Sequence, residues 1–146
     1  MFEAPSLMKR VAIGKGIGLI IGLIGVAVLY YLAPSTSVLF YWGVVLWYTT
    51  LGAIVGIFGV FTEHPILKFP MPWWLRASII GGWMNFVLTF FAYDSFQVLM
   101  LEILGDIGMS ISPFWFTLEG AIAGLIIGCV ATRYGGQGEN LPISAE

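Results

Sequence analysis

Four apolar runs divide this chain, at about residues 11–33, 38–61, 73–93 and 113–133. Each is close to the ~20 residues that a helix needs to cross ~30 Å of hydrocarbon. A helix satisfies its own backbone polar groups in lipid, where an isolated strand cannot. The first run, Val11 to Ala33, is interrupted only by Lys15, which lies close enough to the start to snorkel its ammonium back to the headgroups. The run is longer than the apolar part of a cleaved leader, and Leu32-Ala33-Pro34 lacks a small-x-small cleavage pattern. It therefore reads as a retained first span. Pro34 stops it, and Ser35-Thr36-Ser37 offers N-caps for the second. So short a turn predicts an antiparallel helix hairpin. The second span carries Tyr41, Trp42, Trp47 and Tyr48 in its first half, read as interfacial aromatics, and Gly52, Gly56 and Gly59 in its second.

The loop from Thr62 to Pro72 holds three prolines, one lysine and the chain's only histidine, His64. Trp73, Trp74 and Arg76 then form an interfacial anchor for the third span. Ser78, Gly81, Gly82, Asn85 and Thr89 recur at three- and four-residue steps, so they share a helical face expected to meet protein. Trp83 sits deep in this span and is expected to pack inside the bundle. In residues 94–111, Asp94, Ser95, Glu102, Gly105 and Asp106 gather on one side, with Phe96, Leu99, Met100 and Ile103 around the rest. This predicts an amphipathic helix at the membrane surface or capping the bundle. The alternatives are an extension of the third helix into water and a re-entrant segment. Ser112 as N-cap and Pro113 at the first helical position begin the fourth span, and Gly135-Gly136 ends it before a flexible tail, 135–146. The fold class that follows is an all-α membrane protein of one domain. Its four transmembrane helices form a compact bundle, with an amphipathic interfacial helix between the third and fourth.

Composition sharpens the class. The chain is 59% hydrophobic and 10% charged, with a mean hydropathy of +0.95. So few charges could not cover a water-facing surface. The formal charge of −2 matters less than where each sign lies. Lys9, Arg10, Lys15, Lys68, Arg76 and Arg133 all fall on the face that carries the termini, while Asp94, Glu102 and Asp106 fall on the other. The positive-inside rule then puts both termini in the cytoplasm, a pattern that suits a bacterial inner membrane. Six scattered basic residues make no phosphate-binding stripe, so no nucleic acid is expected. The expected partners are the lipid bilayer and either copies of the chain or other membrane subunits. The single cysteine, Cys129, excludes an intrachain disulfide and any paired-cysteine metal motif; it is read as a small packing residue. Neither a cofactor nor a metal is expected.

Glycines provide the next signal. Gly14, Gly18 and Gly22 in the first span, Gly52 and Gly56 in the second, and Gly120, Gly124 and Gly128 in the fourth repeat every four residues; Gly81 lies on the third. Small residues let backbones approach closely in lipid, where there is little hydrophobic drive between helices. The seam could pack this bundle internally or build an oligomer. Glu119 is the best candidate for chemistry. It lies seven residues after Ser112, about 10 Å along a helix. An ionised carboxylate at the bilayer centre costs about 2.5–3.5 kcal/mol, and less towards the edge. Glu119 is therefore either a proton- or cation-binding group in a cavity or a carboxyl that fixes helix packing. Asn85, Thr89 and Asp94 are its candidate polar neighbours. The glycine ridge and Glu119 read as separable features of one helix. His64 reads as a solvated loop residue. No Ser-His-Asp set or HExxH motif is present, so no catalytic residue is assigned and enzyme activity is the weakest class. Three functions are carried: a polytopic protein acting by glycine-mediated association, as a homo-oligomer or a subunit; a small ion- or proton-coupled channel or transporter using Glu119; and, as the weakest, a membrane-embedded enzyme or lipid-handling protein.

Overall fold

The computed structural model describes residues 6–64, 66–138 and 141–143. Among the described residues, four helices are long and apolar enough to cross a membrane. They are α1 (Leu7–Leu32), α2 (Val38–Ile57, with a 3-10 turn to Val60), α3 (Trp73–Leu104) and α5 (Phe116–Gly135, after a 3-10 turn over Pro113–Trp115). A short α4 (Asp106–Ser110) stands between the last two. The caps follow local chemistry. Ser6, Ser37 and Ser112 each accept a backbone N–H of the following turn through the side-chain hydroxyl. The first helix thus starts at Leu7 because Ser6 caps it, which brings Lys9 and Arg10 inside the helix. At the other end α5 stops at Gly136, whose φ of +72° lies in the left-handed region that glycine tolerates.

The bundle is two helix pairs. In the first, α1 crosses α2 so closely that a Cβ on Gly14 would strike the Gly52 carbonyl, and one on Gly52 the Gly14 carbonyl. Gly18, Gly22 and Gly56 meet the backbones of Tyr48, Val45 and Val11 in the same way. In the second, Gly81 and Gly120 are mutually opposed, while Gly124 and Gly128 receive Ala77. Backbones in direct contact gain dispersion along the whole crossing. Every glycine of the three four-residue series is therefore engaged within the chain. Leu51 and Val55 of α2, Ala77 of α3, and Ala123 and Ile127 of α5 join the pairs into one core.

The third helix is longer than the 73–93 span. It continues to Leu104 through a kink at Ala92, where φ and ψ reach −113° and 17°. The kink follows Thr89, whose hydroxyl donates to the Asn85 carbonyl one turn back (2.8 Å), a bond that tends to bend helices. Beyond it, the 93–104 arm buries Phe96, Leu99 and Met100. Phe96 meets Phe40 edge-on and stacks on Phe116 at 4.2 Å. Glu102 accepts from the backbone and hydroxyl of Ser35 in the α1–α2 turn. Chain reversal at Gly105 then lays α4 against the arm, with Gly108 against Met100 and the Gln97 amide donating to the Gly108 carbonyl.

Two expectations change. Trp83 is 63% exposed and Cys129 is exposed as well. The inward face of α3 is set by Ala77, Gly81 and Asn85, and Trp83, two residues past Gly81, points the opposite way. The same holds for Cys129, one residue beyond the buried Gly128.

At the end of the bundle that carries the basic residues, Arg10 and Arg76 face inward rather than out to headgroups. Arg10 is 1% exposed. Its guanidinium donates to the Gly56 carbonyl (2.9 Å), the Thr132 hydroxyl (3.0 Å) and the Gly136 carbonyl. Gly59 leaves the room the guanidinium fills. Arg76 donates to the carbonyls of Phe61 and Met71. Both cations thus bind carbonyls near helix C-terminal ends, where the helix dipole favours positive charge. Part of the tail predicted as flexible, 139–140 and 144–146, lies outside the described residues. The described part is bonded: the Leu7 and Met8 amides donate to the Pro142 and Ile143 carbonyls, and the Gly138 amide to the Gly59 carbonyl. His64 organises its own loop, accepting from the Ile66 and Leu67 amides at Nδ1 and stacking on Phe69.

Candidate functional site

Between the two pairs, on the side of the bundle that carries the Ser35 turn, lies a cavity of about 960 Å³. Much of its wall is apolar; Ser37 lies in it, and α2, α3 and α5 bring Trp47, Tyr48, Asn85 and Glu119 together there. Glu119 lies in the first turn of α5, where the helix dipole favours a carboxylate. Asn85 is 2% exposed and sits opposite Gly120, where a Cβ would come within 2.5 Å of the Asn85 amide carbon. The glycine ridge and the carboxylate are therefore coupled: Gly120 makes the space from which Asn85 reaches Glu119.

The hydrogen bonds fix each group in turn. The Trp47 indole N–H donates to Asn85 Oδ1 at 2.9 Å. Indole nitrogen can only donate, so the amide oxygen must face it and the amide nitrogen must face the other way. That nitrogen, Nδ2, donates to Glu119 Oε2 at 2.8 Å and to the Phe116 carbonyl at 3.1 Å. The Tyr48 hydroxyl donates to the same Oε2. One carboxylate oxygen is thus held by two fixed donors. The other, Oε1, makes no hydrogen bond among the described residues and is not among the fully enclosed polar atoms. No lysine, arginine or histidine among the described residues pairs with Glu119. Donors held at one oxygen with the second left open make a preorganised acceptor for a proton or a cation.

The four sequence candidates separate. Glu119 and Asn85 are in contact. Thr89 is fully buried, and its hydroxyl is occupied by the Asn85 carbonyl. Asp94 is exposed and lines a different, smaller cavity of about 340 Å³ with Ser35, Ser37 and Glu102. Trp47 and Tyr48, read from sequence as interfacial, are part of the polar site. Depth was the available signal: Tyr48 lies eleven residues after Ser37, about 16 Å down a helix, too far for an interfacial belt.

No family model matches this chain, and neither does any curated protein or solved structure. The class therefore rests on fold and site: a multi-pass, all-helical membrane protein with an apolar cavity and a polar cluster set into its wall.

Proposed function

We propose that this protein is a small membrane carrier or channel in which Glu119 binds a proton or cation inside the cavity between the two helix pairs. The observation that carries the reading is the arrangement at Glu119: one oxygen held by Tyr48 and Asn85, the other uncommitted, in the wall of a cavity of about 960 Å³. A carboxyl needed only for packing would be expected to have both oxygens bonded. The bilayer is the medium of this reading, with both termini and the α2–α3 loop on the cytoplasmic side. That orientation is supported by the exposed Lys15, Lys68 and Arg133, and a C-terminal reporter active only outside the cytoplasm would reverse it. The test of function is flux in proteoliposomes under imposed proton and monovalent-cation gradients. Glu119→Gln is expected to lower flux at least tenfold; unchanged flux would remove the residue on which the reading depends.

A second reading is association with a second copy or with other membrane subunits. It is favoured by the uncovered outer face of α1, where Gly16 has nothing within 4 Å and Ile20, Leu23 and Ile24 are exposed. Such a contact would use this face rather than the occupied glycine seams. Mass measurement in mild detergent separates an assembly from a monomer.

A further inference from the structure

The composition of the cavity wall narrows what could occupy it, and this step rests on the carboxylate reading above. A small inorganic cation needs a shell of oxygens, six to eight for calcium and an octahedron for magnesium. This wall does not supply them: Phe40, Leu88, Phe96, Leu99, Met100 and Phe116 make up much of the lining, and among the described residues Ser37, Tyr48, Asn85 and Glu119 are its only side chains with oxygen. No group of three or more histidine, cysteine, aspartate or glutamate side chains among the described residues could hold a metal ion. The volume is instead at the upper end of that found for organic ligands, roughly 300–1,000 Å³. An apolar body gains by leaving water for such a wall. A neutral body would leave Glu119 either protonated or ionised without a partner, whereas a cation pairs with the ionised form.

We propose that the cavity binds a lipophilic organic monocation, with its positive charge against Glu119 Oε1 and its apolar body against the aromatic and aliphatic wall. Trp47, whose indole donates to Asn85, and Tyr48, whose hydroxyl donates to Glu119, line the same cavity and add aromatic surface beside the polar cluster. Tyr48 and Asn85 act as positioning residues, holding the carboxylate so that Oε1 stays available. A lipid acyl chain would match the apolar wall equally well but gives no reason for the polar cluster.

Two probes of nearly equal size and shape but opposite charge decide between these occupants. Tetraphenylphosphonium and tetraphenylborate are titrated by equilibrium dialysis into the full chain purified in mild detergent. The wild-type protein is expected to bind the cation at least tenfold more tightly than the anion, and Glu119→Gln to abolish that preference. Equal affinity for the two ions is the behaviour of a purely apolar site and overturns the proposal. So does a cation preference that survives Glu119→Gln, or binding of neither ion. If Glu119→Gln does not fold, the wild-type ratio decides alone. Glu119-dependent flux of protons or small cations alongside any of these failures would leave the carboxylate reading standing and remove only the ligand class.

Discussion

Replacing Gly120 with alanine tests the coupling of helix packing to the polar site. The added Cβ would lie 2.5 Å from both the Gly81 carbonyl oxygen and Asn85 Cγ, and 2.6 Å from Asn85 Cβ. Carbon contacts are optimal near 3.5–4.0 Å, so α3 and α5 must separate by about 1 Å, which forfeits a quarter to a half of each dispersion contact along the seam. Overpacking of this kind costs about 1–3 kcal/mol. The same substitution at Gly16, which has nothing within 4 Å, adds no contact and should gain up to about 1 kcal/mol from helix propensity. Both substitutions gain the same helix propensity, so the two variants should differ by the overpacking cost, about 1–3 kcal/mol, when unfolded by SDS in mixed micelles and followed by circular dichroism. Gly120→Ala should also shift the Trp47 indole signal, because Asn85 is displaced. Equal stability of the two variants would refute the packing argument. A destabilised Gly120→Ala with an unchanged Trp47 signal would refute the coupling.

Arg10→Lys keeps the charge but cannot reproduce three separate bonds to Gly56, Thr132 and Gly136. A loss of about 2–4 kcal/mol is expected in the same titration, since each bond to a charged group is worth about 1.5–3 kcal/mol; a loss under about 0.5 kcal/mol would contradict the placement of Arg10. Tyr48→Phe removes only the hydroxyl that Glu119 Oε2 accepts. It should cost about 1–3 kcal/mol, and a double-mutant cycle with Glu119→Gln should show the two effects to be strongly non-additive. Additive effects would mean that the two groups do not interact.

The four long helices were legible because length and apolarity are local properties. Serine caps, Pro34 and Gly136 marked their ends for the same reason. The facing of each helix was harder to read. Spans that are apolar all round carry little hydrophobic asymmetry, so small residues indicated the inward face where hydrophobicity did not. Gly81 and Asn85 pointed correctly; Trp83 and Cys129, judged by depth or size, did not. Arg10 looked like a topological signal, because the carbonyls it binds come from helix ends 46 and 126 residues away. Glu119 and Asn85 could be picked out as polar groups in apolar surroundings. Trp47 and Tyr48 could not be told from an interfacial belt by residue type alone. The kink at Ala92 has no proline to announce it, so the arm that walls the cavity read as a separate segment.

The central claim is that a carboxyl at Glu119 is open to an apolar cavity, and a hydrophobic carbodiimide tests it most directly. Dicyclohexylcarbodiimide partitions into apolar sites and reacts with carboxyl groups there, and peptide mass spectrometry locates the adduct. The account predicts modification at Glu119, suppressed by tetraphenylphosphonium and not by tetraphenylborate. An unmodified Glu119, with adducts confined to exposed carboxylates such as Asp94 and Glu102, would contradict it.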